Sequence, residues 1–92
     1  MRIIYLPSAR DDLSWLREYY TDIFPQGAGK ALEHLMKAEE MILRHPHAGC
    51  PSASRPRLRE IPIPRTPFIL IYRVTPQCIE ILRVLDARSQ GS

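Results

Sequence analysis

The chain has 92 residues, of which 45% are hydrophobic and 25% are charged, and its formal net charge is +3. A chain of this length and ordinary composition forms one domain around a single core, which excludes fibrous, disordered and membrane-spanning proteins. Only four apolar residues separate Arg2 from Pro7, too few for a secretory signal, so we expect one cytoplasmic domain over residues 1–92 that does not bind membranes.

Charge is unevenly distributed along the chain. Residues 1–54 carry six basic and seven acidic side chains, whereas residues 55–92 carry seven arginines against three acidic side chains. Such a bias favours an anionic partner, either a nucleic acid or an acidic protein segment, although a basic surface that only maintains solubility has the same composition.

The N-terminal residues predict a strand followed by a helix. The segment "RIIYL" is rich in β-branched and aromatic residues and stops at Pro7, which is typical of a short strand. Ser8 and Asp11 have the spacing of a capping box, so we expect a helix from Ser8 to about Phe24. Its predicted buried stripe consists of Ala9, Leu13, Leu16, Tyr20 and Ile23, widened by Trp15 and Tyr19.

A second apolar period after a short break predicts a helix hairpin. Pro25 and the glycines that follow it interrupt the first pattern. A second helix then ends before Pro46, with a predicted buried stripe of Ala28, Leu32, Leu35, Ala38 and Ile42. Two amphipathic helices joined so closely pack antiparallel and need a sheet to cover their apolar faces.

The C-terminal half predicts three strands after a loop. Residues 45–56 are rich in Pro and Ser and are typical of an exposed connection. Alternating apolar segments follow at about 57–63, 67–74 and 78–86, and the short turns between them favour an antiparallel meander. We therefore expect an α+β fold with a short N-terminal strand and an antiparallel helix hairpin, packed on one face of a mainly antiparallel, C-terminal three-stranded meander.

Side-chain alternation divides the predicted meander into two faces. The set expected under the hairpin is Phe68, Leu70, Tyr72, Val74, Leu82 and Val84. The opposite set mixes arginines with aliphatic residues: Arg59, Ile61, Ile63, Ile69, Ile71, Arg73, Ile79, Ile81, Arg83 and Leu85. Because the hairpin covers one face only, we expect this second set to bind a partner whose apolar residues meet the aliphatics and whose carboxylates meet the arginines. The alternative is that the arginine stems lie along the sheet and shield the isoleucines from water.

Three segments of the meander carry a resemblance to a toxin superfamily. The segments "LREIPI", "FILIYRV" and "IEILRVLDAR", after a strand and a helix hairpin, resemble the RelE/ParE toxins of bacterial type II toxin–antitoxin modules. The resemblance spans nearly the whole chain. It implies a hetero-oligomer with a cognate antitoxin, whose C-terminal segment lies on the open sheet face against the second set and Arg88.

The resemblance implies two possible targets. ParE-like toxins act on DNA gyrase without known hydrolysis, whereas RelE-like toxins cut messenger RNA on the ribosome. Metal-independent RNA cleavage needs a base, an acid and cations for the phosphorane, and the sequence offers only Arg59, Arg73 and Arg83 as cations and Tyr72 as a candidate acid. We therefore expect a gyrase-binding toxin without catalytic residues. The ribosome-dependent endoribonuclease is the alternative, and a non-toxic basic binding module is the third hypothesis.

A metal site is a further candidate that we set aside. His45, His47 and Cys50 fall within six positions and belong to residue types that bind zinc. A fourth ligand is not evident in the sequence, and cysteines in a chain without an export signal are read as reduced thiols. We expect no metal and no other cofactor.

Overall fold

Two helices cover one face of a five-stranded sheet in the computed structural model, which describes residues 1–23 and 25–89. The main elements are β1 (Arg2–Tyr5), α1 (Pro7–Glu18), α2 (Ala28–Arg44), β2 (Cys50–Pro51), β3 (Arg59–Pro62), β4 (Phe68–Val74) and β5 (Cys78–Asp86). A π-helical turn (Tyr19–Ile23) and a 3-10 turn (Pro25–Gly27) lie between the helices, and a second 3-10 turn (Ala87–Ser89) follows β5. The predicted α+β fold, with a helix hairpin on a mainly antiparallel sheet, is confirmed.

The helices of residues 1–23 and 25–89 are too short or too polar to cross a membrane.

The first strand lies beside the last, because the strand order is β1-β5-β4-β3-β2. β1 is parallel to β5 and pairs only with its residues 78–81. Beyond these residues, α1 supplies hydrogen-bonding partners along the same edge of β5. Ser8 Oγ donates to the carbonyl of Leu82 (2.7 Å), and Asp12 Oδ2 accepts from the backbone N–H of Val84 (2.9 Å). The start of α1 thus protects the edge of β5 that β1 leaves open.

α1 begins one residue earlier than predicted and has no side-chain cap. Leu6 is the N-cap, and Pro7 occupies the first helical position. A backbone N–H at that position would have no acceptor within the helix, so proline loses no hydrogen bond there. The predicted capping box is therefore wrong, because Ser8 lies within the first turn and its hydroxyl bonds β5 instead. The helix end predicted at Phe24 lies outside the described residues, and the α-helical geometry itself ends at Glu18.

The core lies between the helices and the sheet. Its largest fully buried side chains are Ile42, Phe68, Leu70, Tyr72, Ile79 and Ile81, and burial of each aliphatic among them contributes about 1.5–3 kcal/mol. Ala9, Tyr20, Ala31 and Ala38 complete the core from the helix side. Four residues of the predicted stripes are wrong, since Ile23, Leu32 and Trp15 are 70%, 60% and 47% exposed and Ala28 is also exposed. α2 turns Ala31 toward the sheet and Leu32 away from it.

A β-bulge interrupts the pairing of β4 with β5. Ile71 lies opposite Arg83, but the next residue, Tyr72, lies opposite Ile81. Leu82 is therefore an extra residue in β5, and the alternation of side chains between the two faces reverses there.

The bulge overturns part of the predicted face assignment. Ile79 and Ile81 share the helix-covered face with the core residues of β4 and are fully buried, and Val84 joins them after the bulge. The prediction that Ile79 and Ile81 lie on an exposed face is wrong, and so is the prediction that Leu82 lies under the hairpin. Their burial leaves Ile79 and Ile81 no surface for a partner.

The turn between β3 and β4 sets the register of β3. This turn has four residues, 64–67, and the N–H of Ile63 donates to the carbonyl of Phe68 (2.9 Å). Arg59 and Ile61 lie opposite core residues of β4, and directly opposite residues share a face. The prediction that Arg59, Ile61 and Ile63 belong to the exposed face is therefore wrong, and Ile63 is buried in the core.

The predicted connection 45–56 contains a short strand. Cys50 and Pro51 form β2, which pairs antiparallel with the start of β3. Two residues within a Pro- and Ser-rich segment give no period in the sequence, so only the pairing with β3 identifies this strand.

Candidate functional site

The outer face of the sheet, which points away from the helices, holds both arginines set into the β4 and β5 sequences. Arg73 lies opposite Glu80 and Arg83 lies opposite Ile71. Because alternate residues of a strand share a face, Arg73 and Arg83 point to the same side of the sheet. Of the predicted binding set, the members on this face are Ile69, Ile71, Arg73, Arg83 and Leu85. Their role in binding stays a prediction.

The outer face is less open than the sequence predicts. Ile71 is only 9% exposed, and Ile69 and Leu85 are half-buried. The most exposed large hydrophobic side chains lie outside the sheet, for example Leu32 and Met36 on α2. The expected surface of bare isoleucines is thus wrong, and the alternative in which polar side chains lie across the aliphatics agrees better with these exposures.

Arg83 is held by a carboxylate from α1. Its Nε and Nη2 donate to Oδ2 and Oδ1 of Asp12 at 2.7 and 3.1 Å. These hydrogen bonds and the negative charge of Asp12 raise the pKa of the Arg83 guanidinium. The Asp12 side chain is only 17% exposed, whereas that of Arg83 is 50% exposed, so one side of the guanidinium still faces water.

Arg73 pairs across the sheet and borders a basin of further arginines. Its Nε donates to Oε1 of Glu80 on the neighbouring strand. The basin, which we call the arginine basin, is lined by Arg55, Pro56, Arg57, Leu58, Arg73 and Leu82 and has a volume of about 390 Å³. Within residues 1–23 and 25–89, neither Arg55 nor Arg57 has a carboxylate within ion-pair distance. The basin therefore presents uncompensated positive charge beside apolar side chains.

Arg59 and Tyr72 act on the opposite face, where they fix the start of the segment before β2. The Tyr72 hydroxyl donates to the carbonyl of Pro46 (2.8 Å) and accepts from the N–H of Gly49 (2.9 Å). Arg59 Nη1 donates to the carbonyls of Gly49 (2.8 Å) and His47 (3.3 Å). Both side chains are thus engaged in hydrogen bonds with backbone groups of the segment before β2.

Gly49 is required by this arrangement. A Cβ at this position would lie 2.7 Å from the hydroxyl oxygen of Tyr72 and 2.9 Å from the carbonyl oxygen of Glu60. Both distances are shorter than real Cβ contacts, so a larger residue would push the segment away from the sheet.

Arg88 lies at the end of β5 and does not reach the outer face. Its guanidinium pairs with Asp86 (2.8 Å) and lies 5.5 Å above the ring centre of Tyr19. The hydrogen bonds from Arg88 lower the pKa of Asp86. Because Asp86 lies opposite Phe68 on the helix-covered face, Arg88 is held on the helix side of the sheet, away from Arg73 and Arg83. Its role in binding stays a prediction.

A comparison with models of protein families identifies the family of this chain. The family model described as the ParE toxin of the type II toxin–antitoxin system parDE matches residues 3–91. The chain belongs to the ParE toxin family. The resemblance to RelE/ParE toxins is confirmed at the level of this family, and an antitoxin partner is a property of the family.

A solved structure agrees with the family match. A chain of the structure titled "Chromosomal ParDE TA system from P. aeruginosa" is 29% identical, with a TM-score of 0.73, over 91% of this chain and 92% of that chain. No curated protein sequence matches significantly. The shared fold covers both helices and the sheet, so the arginine basin is built on a ParE scaffold.

The four candidate ribonuclease residues do not converge in this ParE-family fold. Arg73 and Arg83 lie on the outer face, whereas Arg59 and Tyr72 lie on the helix-covered face. Tyr72 is fully buried, and its hydroxyl already makes two hydrogen bonds. A phosphate held by the two outer arginines would have no access to the tyrosine.

The metal candidate also gains no support from the geometry. No three His, Cys, Asp or Glu side chains cluster anywhere in the described ranges. Cys50 is exposed and Cys78 is buried, and both are free thiols.

Sequence reasoning missed two parts of this site. Asp12 gives no signal, because its partner Arg83 is 71 positions away. Arg55 and Arg57 contribute to the charge bias of the C-terminal half, but they lie in a segment without periodicity that the sequence places only in a loop. An apolar cleft of about 270 Å³ between the helices was also missed. It is lined by Leu16, Tyr20, Leu32, Leu35, Ile63 and Phe68, among others.

Proposed function

We propose that this ParE-family protein is the toxin of a type II toxin–antitoxin pair, that it arrests growth in the cytoplasm by binding DNA gyrase, and that a cognate antitoxin neutralises it in a hetero-oligomer. The observation that carries the proposal is the match to the ParE toxin family over residues 3–91. Gyrase is the target that the ParE-like branch implies.

The side-chain geometry supports binding rather than RNA cleavage. Cleavage by acid–base chemistry requires a proton donor and acceptor within hydrogen-bond reach of the reacting phosphate. The arginines of the outer face have carboxylate partners from the same chain, Glu80 and Asp12, and the candidate tyrosine is buried on the other face. These contacts favour a toxin that acts by occupying a surface of its target.

The arginine basin is the docking site that we propose for the antitoxin. Arg55 and Arg57 are exposed and carry charge without a carboxylate partner among the described residues. Leu58 and Leu82 supply apolar surface within the same basin. A segment that alternates carboxylates with aliphatic side chains satisfies both, since guanidinium groups bind carboxylates in a two-pronged geometry.

Induction of the chain in growing bacteria tests the function. We expect growth arrest with a DNA-damage response, inhibition of supercoiling by purified gyrase, and primer extension of transcripts without new cuts. New cuts within codons, with gyrase supercoiling intact, would establish the ribonuclease alternative instead. Normal growth at full expression would refute both and leave the basic binding module.

Titration with the antitoxin encoded beside the toxin tests the docking site. Arg57→Glu should weaken antitoxin binding about 10- to 100-fold, because it places a carboxylate against carboxylates. Arg17→Glu is the matched control, since it makes the same charge change on the exposed side of α1. Equal losses in the two variants would show that only the net charge matters and that the basin is not the site.

A further inference from the structure

The exposed side of α2 carries an apolar row that the fold does not use. Leu32, Met36 and Leu43 are 60%, 58% and 39% exposed. Their spacing of four and seven residues places them on one stripe of the helix. The buried residues of the same helix, Ala31 and Ala38, lie on a different stripe, which faces the core. An exposed apolar row on a well-packed helix indicates a contact with another molecule.

A row of alternating charge runs directly beside the apolar row. It consists of Glu33, Lys37, Glu40 and Arg44, spaced by four, three and four residues. Lys37 lies 3.6 Å from Glu33, and Arg44 lies 3.1 Å from Glu40. All four side chains are more than half exposed. The two rows meet in a shallow depression, which is lined by Met36, Leu43, Glu33, Lys37 and Glu40 among others.

The order of the charges identifies the partner. Toward the C terminus the row reads negative, positive, negative, positive, so the same row read in the reverse direction has the opposite sign at every position. Two copies of α2 packed antiparallel about a two-fold axis bring the same side of each helix together. Glu33 then faces Arg44 of the second copy, and Lys37 faces Glu40. Parallel packing about a two-fold axis along the helices would instead place the charge row of one copy against the apolar row of the other.

We propose that α2 is a self-association surface, through which two copies of this chain form a two-fold dimer with antiparallel helices. The apolar rows meet on one side of the seam and the charge rows on the other. The proposal does not depend on the target of the toxin, because it uses only residues of α2 that lie outside the arginine basin and the outer face of the sheet. Leu32, at one end of the apolar row, also borders the cleft between the helices.

The size of the surface sets the expected affinity. A helix of 17 residues is about 25 Å long, and one helix face on each copy buries less than the roughly 1,200–2,000 Å² of a stable interface. The dimer is therefore weak, with a dissociation constant of about 10 to 1,000 µM. Added salt weakens the contribution of the charge row but not that of the apolar row.

Sedimentation equilibrium of the purified chain over about 5 to 500 µM tests the proposal. We expect a reversible monomer–dimer equilibrium. Lys37→Glu and Glu40→Lys should each weaken it about tenfold, because each variant creates two like-charge contacts across the two-fold axis. An equimolar mixture of the two variants should associate as well as the wild type, since every contact then joins opposite charges.

Controls separate this geometry from other causes. Circular dichroism checks that each variant keeps its helices, and Glu18→Lys provides the same charge change at the exposed end of α1. Met36→Glu should abolish the dimer while Glu18→Lys leaves it unchanged. A chain that stays monomeric throughout the range, or a mixture that associates no better than its two components, overturns the proposal. So does a dimer that tolerates Met36→Glu.

Discussion

Asp12 is expected to be worth more to stability than the arginine with which it pairs. Its carboxylate binds Arg83 through both oxygens and also accepts the backbone N–H of Val84 (2.9 Å). The ion pair is partly exposed to water, so it contributes about 0.2–1 kcal/mol. The hydrogen bond from a backbone N–H to a charged carboxylate contributes about 1.5–3 kcal/mol. Asp12→Ala removes both, whereas Arg83→Ala removes only the first.

Thermal and urea unfolding at neutral pH measure this difference. We expect Asp12→Ala to lower the free energy of unfolding by about 2–4 kcal/mol, or the Tm by about 10–25 °C. Arg83→Ala should cost at most about 1 kcal/mol, and about 1 M salt should remove most of that cost. The coupling energy from the double-mutant cycle should equal the ion-pair contribution. If Arg83→Ala were as destabilising as Asp12→Ala, the carboxylate would act through the arginine, and the assignment of α1 as the cover of the β5 edge would be incorrect.

Three further predictions test other contacts. Gly49→Ala should lower the free energy of unfolding by about 1–3 kcal/mol in urea denaturation, because the added methyl group overlaps a tyrosine hydroxyl; unchanged stability would show that the segment shifts freely. Ile81→Ala should cost about 2–5 kcal/mol and Leu82→Ala clearly less, since only the first is fully buried; the reverse order would place the bulge elsewhere. Arg88→Ala should raise the pKa of Asp86 in an NMR titration. The Arg88–Asp86 pair stabilises the fold above the unfolded-state Asp pKa of about 3.9, and this stability is lost as the pH falls through the lower pKa of Asp86 in the folded state. An unchanged pKa of Asp86 in the variant would show that Arg88 does not hold this carboxylate.

The order of the helices and of the strands other than β2 could be predicted because each of these elements has its own local pattern. The apolar spacing of both helices and the strict alternation in β4 are local properties, and the structure confirms the hairpin over the sheet. Phe68, Leu70 and Tyr72 were placed correctly on the helix-covered face. Within β4 no extra residue disturbs the alternation, so parity alone was sufficient there.

The face assignment of β5 could not be predicted from its sequence. Ile79, Ile81 and Leu85 belong to one parity set, and Leu82 and Val84 belong to the other, so both sets are apolar and neither pattern excludes a bulge. The register of β3 with β4 depends on the turn of residues 64–67, and the alternation within either strand does not fix it. The ion pair that holds Arg83 depends on a residue 71 positions away, and no local pattern reports such a contact.

The position of β1 beside β5 has a consequence for biosynthesis. Of the strands that the structure describes, β1 is synthesised first, but its neighbour in the sheet is β5, which is synthesised last. Until residues 78–81 have left the ribosome, β1 has no hydrogen-bonding partner in the sheet. This pairing therefore forms late and through contacts that are distant in sequence. A message truncated before this point would yield a chain destined for proteolysis rather than a smaller working domain.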